Sequence, residues 1–279
     1  MTAKSWVIFD DSTRNMICGQ NEEESREVAS LTKIMTCFCA LRFIEQNSLH
    51  PLEEKVIITR KAAQMPGTSA ELKKGDIVSL WDLLFAMMLP SGNDAAYTIA
   101  EYLGKKIYHS QQEDTNEKSD RRVQSKVKPK MAMRLFLREL NRTAKEIGLT
   151  QTYFGNPHGL CHQNSHSTAL DMGKLCVVAM QHPILRQIVG TQSYSCVIER
   201  SKENCNVTWN NTNQLLGEGY EGIKTGITAT AGPCLASCSV DNGQRIICVA
   251  LGSKSVDHRF TDCKKLTEYG FNLLRMSPL

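Results

Sequence analysis

Strand-like stretches occupy both ends of this chain and helical stretches fill its middle, and that order restricts the fold more than any other feature. SWVIF (5–9), a polar turn and MICGQ (16–20) have the pattern of a hairpin. The last third returns to strands: SYSCVIE, GIKTGITATAGPCLASCSV and QRIICVALGS read as an antiparallel meander, with Asp241-Asn242-Gly243 as its tight turn. The amphipathic run DHRFTDCKKLTEYGFNLLRM covers it. There is no internal repeat. One sheet built from both chain ends with an inserted helical region is the arrangement this order predicts, an α+β fold in a single domain. The sheet part is expected over about 1–60 and 165–279, and the helical part over about 61–164.

Five helices are predicted in the middle. IMTCFCALRFIEQN carries Ile34, Cys37, Leu41 and Ile44 at helical spacing, so a buried helix starts near Ser30. SLWDLLFAMML (79–89) stops at Pro90, and AAYTIAEYLGKK follows with Asn93 or Asp94 as its cap. MAMRLFLRELNRTAKEIGL (131–149) ends with Gly148 near the C-cap, and a further helix begins near Ser167. Between them HSQQEDTNEKSDRRVQSKVKPK is almost free of apolar residues, so 105–130 reads as a disordered surface insertion.

Composition excludes several classes. Apolar content of 41% and charged content of 22% are those of a soluble globular protein. A net charge of +4 over 279 residues calls for neither a nucleic-acid nor a membrane partner, and no apolar run is long enough for a transmembrane segment. MTAKSWVIFDDS lacks the apolar core of a signal peptide, which leaves an intracellular protein and a missing leader both open. The eleven cysteines match no disulfide scaffold; Cys37, Cys39, Cys176 and Cys248 stand in apolar runs and are expected as reduced core residues. Cys161, His162 and His166 fit no zinc-ligand spacing and lack a fourth ligand, so no metal is expected.

Three short motifs carry chemistry. In Ser30-Leu31-Thr32-Lys33 the three-residue offset puts hydroxyl and amine on one helix face, a nucleophile beside a base. Alone this pattern means little, since Ser125 and Lys128 repeat it in a hydrophilic stretch. Ser91-Gly92-Asn93 follows a proline-stopped helix and offers a hydroxyl and an amide to a cleft. Lys224-Thr225-Gly226 lies on a strand whose glycine leaves the edge bare for a substrate backbone, while the cation and hydroxyl suit a carboxylate.

The ordered trio resembles the signature of penicillin-binding proteins and class A β-lactamases. ASLTKIMT, LPSGNDAA, NPHGL, HSTALDM, EGIKTGITATAGPCL and RFTDCKKLTEYGF resemble, more narrowly, the serine D-alanyl-D-alanine carboxypeptidases, over nearly the whole chain outside 105–130. The resemblance implies the β-lactamase-like fold and a cofactor-free acyl-enzyme mechanism on peptides ending in D-Ala-D-Ala, with β-lactams as inhibitors. It implies Ser30 as nucleophile and Lys33 as base, its pKa lowered by burial and by Lys224. Ser91 would relay a proton to the leaving amine, Asn93 would hold the substrate amide, and Lys224 and Thr225 would bind the terminal carboxylate. The oxyanion hole would be the backbone N–H groups of Ser30 and Ile227.

Departures are visible too. Ile227 stands where the family often has histidine, and the family's C-terminal β-domain and anchor find no counterpart up to Leu279. The family implies an extracytoplasmic setting, which this chain leaves open. A class A β-lactamase is the nearest alternative, but its Glu-x-x-Leu-Asn motif is matched only by Leu137-Arg138-Glu139-Leu140-Asn141, with leucine in the glutamate's place. An esterase or amidase of the same fold is a second alternative. A catalytically dead binding module is disfavoured by the presence of Ser30, Lys33 and Lys224.

Overall fold

The computed structural model describes residues 1–113 and 127–276. In chain order the elements are β1 (Ser5–Asp10), β2 (Met16–Gln20), a 3₁₀ turn (Ala29–Leu31), α1 (Thr32–Gln46), β3 (Lys55–Ile57), α2 (Arg60–Ala63), β4 (Ile77–Ser79), α3 (Leu80–Met88) and α4 (Asn93–Glu113). Then come α5 (Pro129–Glu146), α6 (Ala169–Met180), α7 (Pro183–Gly190), β5 (Ser193–Arg200), β6 (Glu203–Asn210), β7 (Tyr220–Thr228), β8 (Gly232–Asp241), β9 (Gln244–Leu251) and α8 (Val256–Met276).

The expected sheet from both chain ends is present. Its antiparallel order is β2-β1-β9-β8-β7, with Val7 opposite Val249 and Lys224 opposite Ala236. Side chains alternate between its faces. Trp6, Ile8, Ile246 and Cys248 meet Phe260, Cys263, Leu266 and Phe271 of α8, while Val7, Phe9, Ile247 and Val249 join the larger core beneath the helical region. Both faces are therefore covered, which is why QRIICVAL shows no polar alternation. Each fully buried side chain such as Ile8 is worth about 1.5–3 kcal/mol in transfer free energy.

SYSCVIE departs from expectation. It is β5, and it belongs to a second antiparallel sheet of order β3-β4-β5-β6 instead of the terminal meander. Its partner β6 pairs with it over its whole length, from Ser193↔Asn210 to Arg200↔Glu203. The connecting turn has Ser201 and Lys202 at φ 53° and 68°, a conformation ordinarily signalled by Asn-Gly, so Ser-Lys carries no hairpin cue. Tyr194 ties this sheet to α3: its ring stacks on Phe85 at 3.8 Å and its hydroxyl donates to Asp82 Oδ1 at 2.7 Å.

The insertion boundaries also change. Helix α4 continues to Glu113 and α5 opens at Pro129, so both ends of the 105–130 stretch are helical, and 114–126 lie outside the described residues. Two ion pairs stand where the run begins. Lys105 meets Glu101 at 2.6 Å one turn away, and Lys106 meets Glu54 at 3.0 Å. Helix α7 was not anticipated. Of the expected caps, Gly148 (φ 77°) does end α5, whereas Asn93 and Asp94 direct their side chains elsewhere. Cys37, Cys39, Cys176 and Cys248 are all buried. No described helix is long and apolar enough to cross a membrane.

Candidate active site

Ser30 lies in the 3₁₀ turn that leads into α1, one step earlier than a regular helical start. Ala29 before it has φ 48°, a left-handed conformation that costs a non-glycine residue free energy and bends the chain sharply. The turn is held from two sides. A Cβ added at Gly159 (φ +82°) would lie 1.9 Å from Ala29 O, and one at Gly226 would lie 3.0 Å from Ser30 N. Both positions require glycine because another backbone passes there.

Lys33 is wholly buried. Its Nζ stands 2.9 Å from Ser30 Oγ, 2.7 Å from Asn93 Oδ1 and 2.8 Å from the carbonyl of His158. Burial and the neighbouring Lys224 push its pKa well below the ordinary lysine value, against an opposing pull from Asp94. A neutral amine has two N–H donors and one lone pair. The carbonyl oxygens of Asn93 and His158 are acceptors only, so they take the two N–H groups and leave the lone pair for the Ser30 hydroxyl proton.

Asn93 opens α4, and its Nδ2 donates to Pro66 O at 2.7 Å, which fixes the amide with its oxygen toward Lys33. Asp94 beside it accepts from Ser69 Oγ at 2.7 Å and from the N–H groups of Ala70 and Leu72, folding the 66–72 loop over the start of the helix. Ser91 is buried and has φ 65°. Its carbonyl accepts from Thr68 Oγ1 at 2.6 Å.

The third motif comes from β7, the edge strand of the five-stranded sheet. Lys224 is buried, and its Nζ donates to Thr225 O at 3.2 Å. Burial, reinforced by Arg259, brings its pKa down to about 7. Thr225 Oγ1 shares a 2.6 Å hydrogen bond with Thr212 Oγ1. Ile227 is 49% exposed at the end of the strand. An edge strand leaves alternate N–H groups unpaired on its outer side, and the approach of Gly226 to Ser30 N brings the Ile227 backbone beside the Ser30 amide.

Hydrogen bonds thus join Ser30, Lys33 and Asn93, Gly226 packs against Ser30 N, and Lys224 is near enough to Lys33 to lower its pKa. Several neighbours were not foreseen. Arg259 of α8 donates to Gly226 O at 3.3 Å and depresses Lys224, and its buried Nε has no partner among the described residues. His158 offers its carbonyl to Lys33, while burial and that lysine push its imidazole down to about 3, so it is neutral. NPHGL is legible in the sequence as part of the family resemblance, but nothing in it says which backbone oxygen points inward. Among the described residues, no three His, Cys, Asp or Glu side chains converge as metal ligands.

A sheet closed by both chain ends, a Ser-Lys pair at a helix start and a buried lysine on an edge strand are the features that can be compared with known proteins. Residues 1–106 and 132–255 match the D-alanyl-D-alanine carboxypeptidase family, and the chain belongs to it. It is 32% identical to a D-alanyl-D-alanine carboxypeptidase of Streptomyces sp. (strain K15), over 98% of this chain and 88% of that one. It is 27% identical to DacF of Bacillus subtilis and 30% identical to DacD of Escherichia coli, over 99% and 96% of this chain. The chain spans 64% and 63% of those two relatives' lengths. The crystal structure of the Streptomyces K15 DD-transpeptidase superposes with a TM-score of 0.84 at 28% identity, over 98% of both chains.

Proposed function

We propose that this chain is a serine DD-peptidase that hydrolyses the terminal D-Ala-D-Ala bond of peptidoglycan-type peptides and is acylated by β-lactams. The observation that carries the reading is the 2.9 Å contact between Ser30 Oγ and a buried lysine amine of lowered pKa. We read 1–279 as one catalytic domain, with a sheet part (1–60, 165–279) and a helical part (61–164) meeting at the cleft.

In this reading Ser30 Oγ attacks the carbonyl carbon of the penultimate D-alanine as its proton passes to the Lys33 lone pair. The tetrahedral oxyanion accepts from the N–H groups of Ser30 and Ile227. Collapse breaks the C–N bond. The proton held by Lys33 reaches the departing amine through the Ser91 hydroxyl, and D-alanine leaves. Water then attacks the ester, returning the proton to Ser30 Oγ. Asn93 holds the substrate amide, while Lys224, Thr225 and, next to them, Arg259 receive the terminal carboxylate.

Labelling with a fluorescent penicillin, mass spectrometry of the adduct and a Ser30→Ala control test the reading. A stable adduct on Ser30 that is absent from the variant is expected. Rapid drug turnover without a trapped adduct would point to a β-lactamase, and no reaction by the folded protein would overturn the proposal.

A further inference from the structure

One residue outside the three motifs bridges two of them. Thr212 lies in the link between β6 and β7, and its N–H donates to Leu89 O at 3.1 Å, two residues before Ser91. Its hydroxyl meets Thr225 Oγ1 on β7 at 2.6 Å. Backbone and side chain of a single threonine thus tie the chain entering the Ser91 loop to the strand of Lys224, Thr225 and Gly226. Among the described residues, each of the two hydroxyls has the other as its only hydrogen-bond partner.

The residues on either side of Thr212 are pinned. Asn211 Nδ2 donates to Val189 O at 3.1 Å and to Thr191 O at 3.0 Å, and its Oδ1 accepts from Asn213 N at 2.9 Å. Asn213 Oδ1 accepts in turn from Leu215 N at 3.1 Å, and Asn213 and Leu215 are both buried. Side-chain bonds to the backbone two residues ahead are what make asparagine a turn former. Two of them in succession fix the path of the link, so the backbone sets where the Thr212 hydroxyl lies.

A hydroxyl has one proton to donate, and in a pair of hydroxyls only one proton lies between the oxygens. A carboxylate is an acceptor only. When one binds Thr225, that residue must give it its proton, and the bond between the threonines then runs from Thr212 to Thr225. Donation from Thr212 also polarises the Thr225 O–H and strengthens the bond that it makes.

We propose that Thr212 is a positioning residue of the cleft: it donates to Thr225 Oγ1, holds that side chain in one rotamer and commits its proton to the carboxylate of a ligand. The proposal rests on the peptidase reading for the identity of that ligand. A hydrogen bond to a charged acceptor is about twice as strong as a neutral one, so the effect is larger for a peptide ending in a free acid than for its carboxamide.

Two variants test it. Thr212→Val is close to isosteric and keeps the N–H bond to Leu89 but has no hydroxyl, whereas Thr212→Ser keeps both. On a peptide ending in D-Ala-D-Ala, Thr212→Val is expected to raise KM about fivefold, the size of one net hydrogen bond, with kcat held within about twofold. Thr212→Ser should stay within about twofold of the native protein in both constants, and the carboxamide should lose less than about twofold in kcat/KM with Thr212→Val. An unchanged KM in Thr212→Val, or equal losses for acid and carboxamide, would overturn the proposal and leave the peptidase reading intact. If the native protein cleaves no peptide, the side chain itself decides, through the three-bond NMR couplings of the Thr225 methyl carbon. One rotamer in the native protein and in Thr212→Ser, with averaging in Thr212→Val, supports the positioning role; one rotamer in all three overturns it.

Discussion

Lys33 Nζ lies 2.7 Å from Asn93 Oδ1, a buried hydrogen bond that joins the starts of α1 and α4 across 60 residues of sequence. The amide cannot turn around, because its Nδ2 is held by Pro66 O. A lysine facing two oxygen acceptors with its remaining position on Ser30 is set up to accept the serine proton once neutral.

Removing the amine separates chemistry from folding. Lys33→Met is expected to slow acylation by a penicillin about 10²–10⁴-fold, the usual contribution of a general base. The methionine has no charge to bury, so the melting temperature should hold or rise. A rate within threefold of the native protein would count against Lys33 as the base.

Stability should rise with pH through the neutral range. Lys224 has a folded pKa of about 7, and Lys33 is likewise lowered by burial. In the unfolded chain both remain protonated to about pH 10.4, so above pH 7 the unfolded state binds more protons and the slope is positive. Each lysine can contribute up to about 1.4 kcal/mol per pH unit. Burial raises thiols such as Cys263, to about 12, which opposes this trend above about pH 8.5. Urea denaturation at pH 7.0 and 8.5 measures the effect, and Lys224→Met should reduce the slope.

Arg259→Gln removes the charge that helps depress Lys224. The Lys224 pKa is then expected to rise above about 7, moving any titration of KM for a carboxylate-bearing peptide to higher pH. A KM–pH profile identical to that of the native protein would show that Arg259 exerts no field at Lys224.

Two glycine substitutions distinguish strain from collision. Gly159→Ala would put a methyl group 1.9 Å from Ala29 O, whereas Gly75, also at positive φ, has nothing within 4 Å of its Cβ position. Gly75→Ala is expected to cost about 1 kcal/mol. Gly159→Ala should cost more than 2 kcal/mol or so and impair acylation, because the displaced carbonyl precedes Ser30. Chemical denaturation with penicillin labelling reads both.

The sequence by itself determined the α+β class, the sheet shared by both chain ends, most of the helices and the three motifs of the candidate site. Those features are local in origin: apolar periodicity, a proline stop and short runs of reactive residues survive in a linear reading. Tertiary structure alone decided the rest. SYSCVIE could not be assigned to its sheet from its own residues, because β5 and β6 meet through a turn without the usual glycine, and Lys106, where the polar end of α4 begins, pairs with Glu54 far away in sequence. The Lys33 environment was likewise out of reach. Its pKa depends on burial and on Lys224, 191 positions away, and its orientation depends on the His158 carbonyl. Short-range pattern encodes which elements form; the field at a buried amine comes from whatever the fold packs around it.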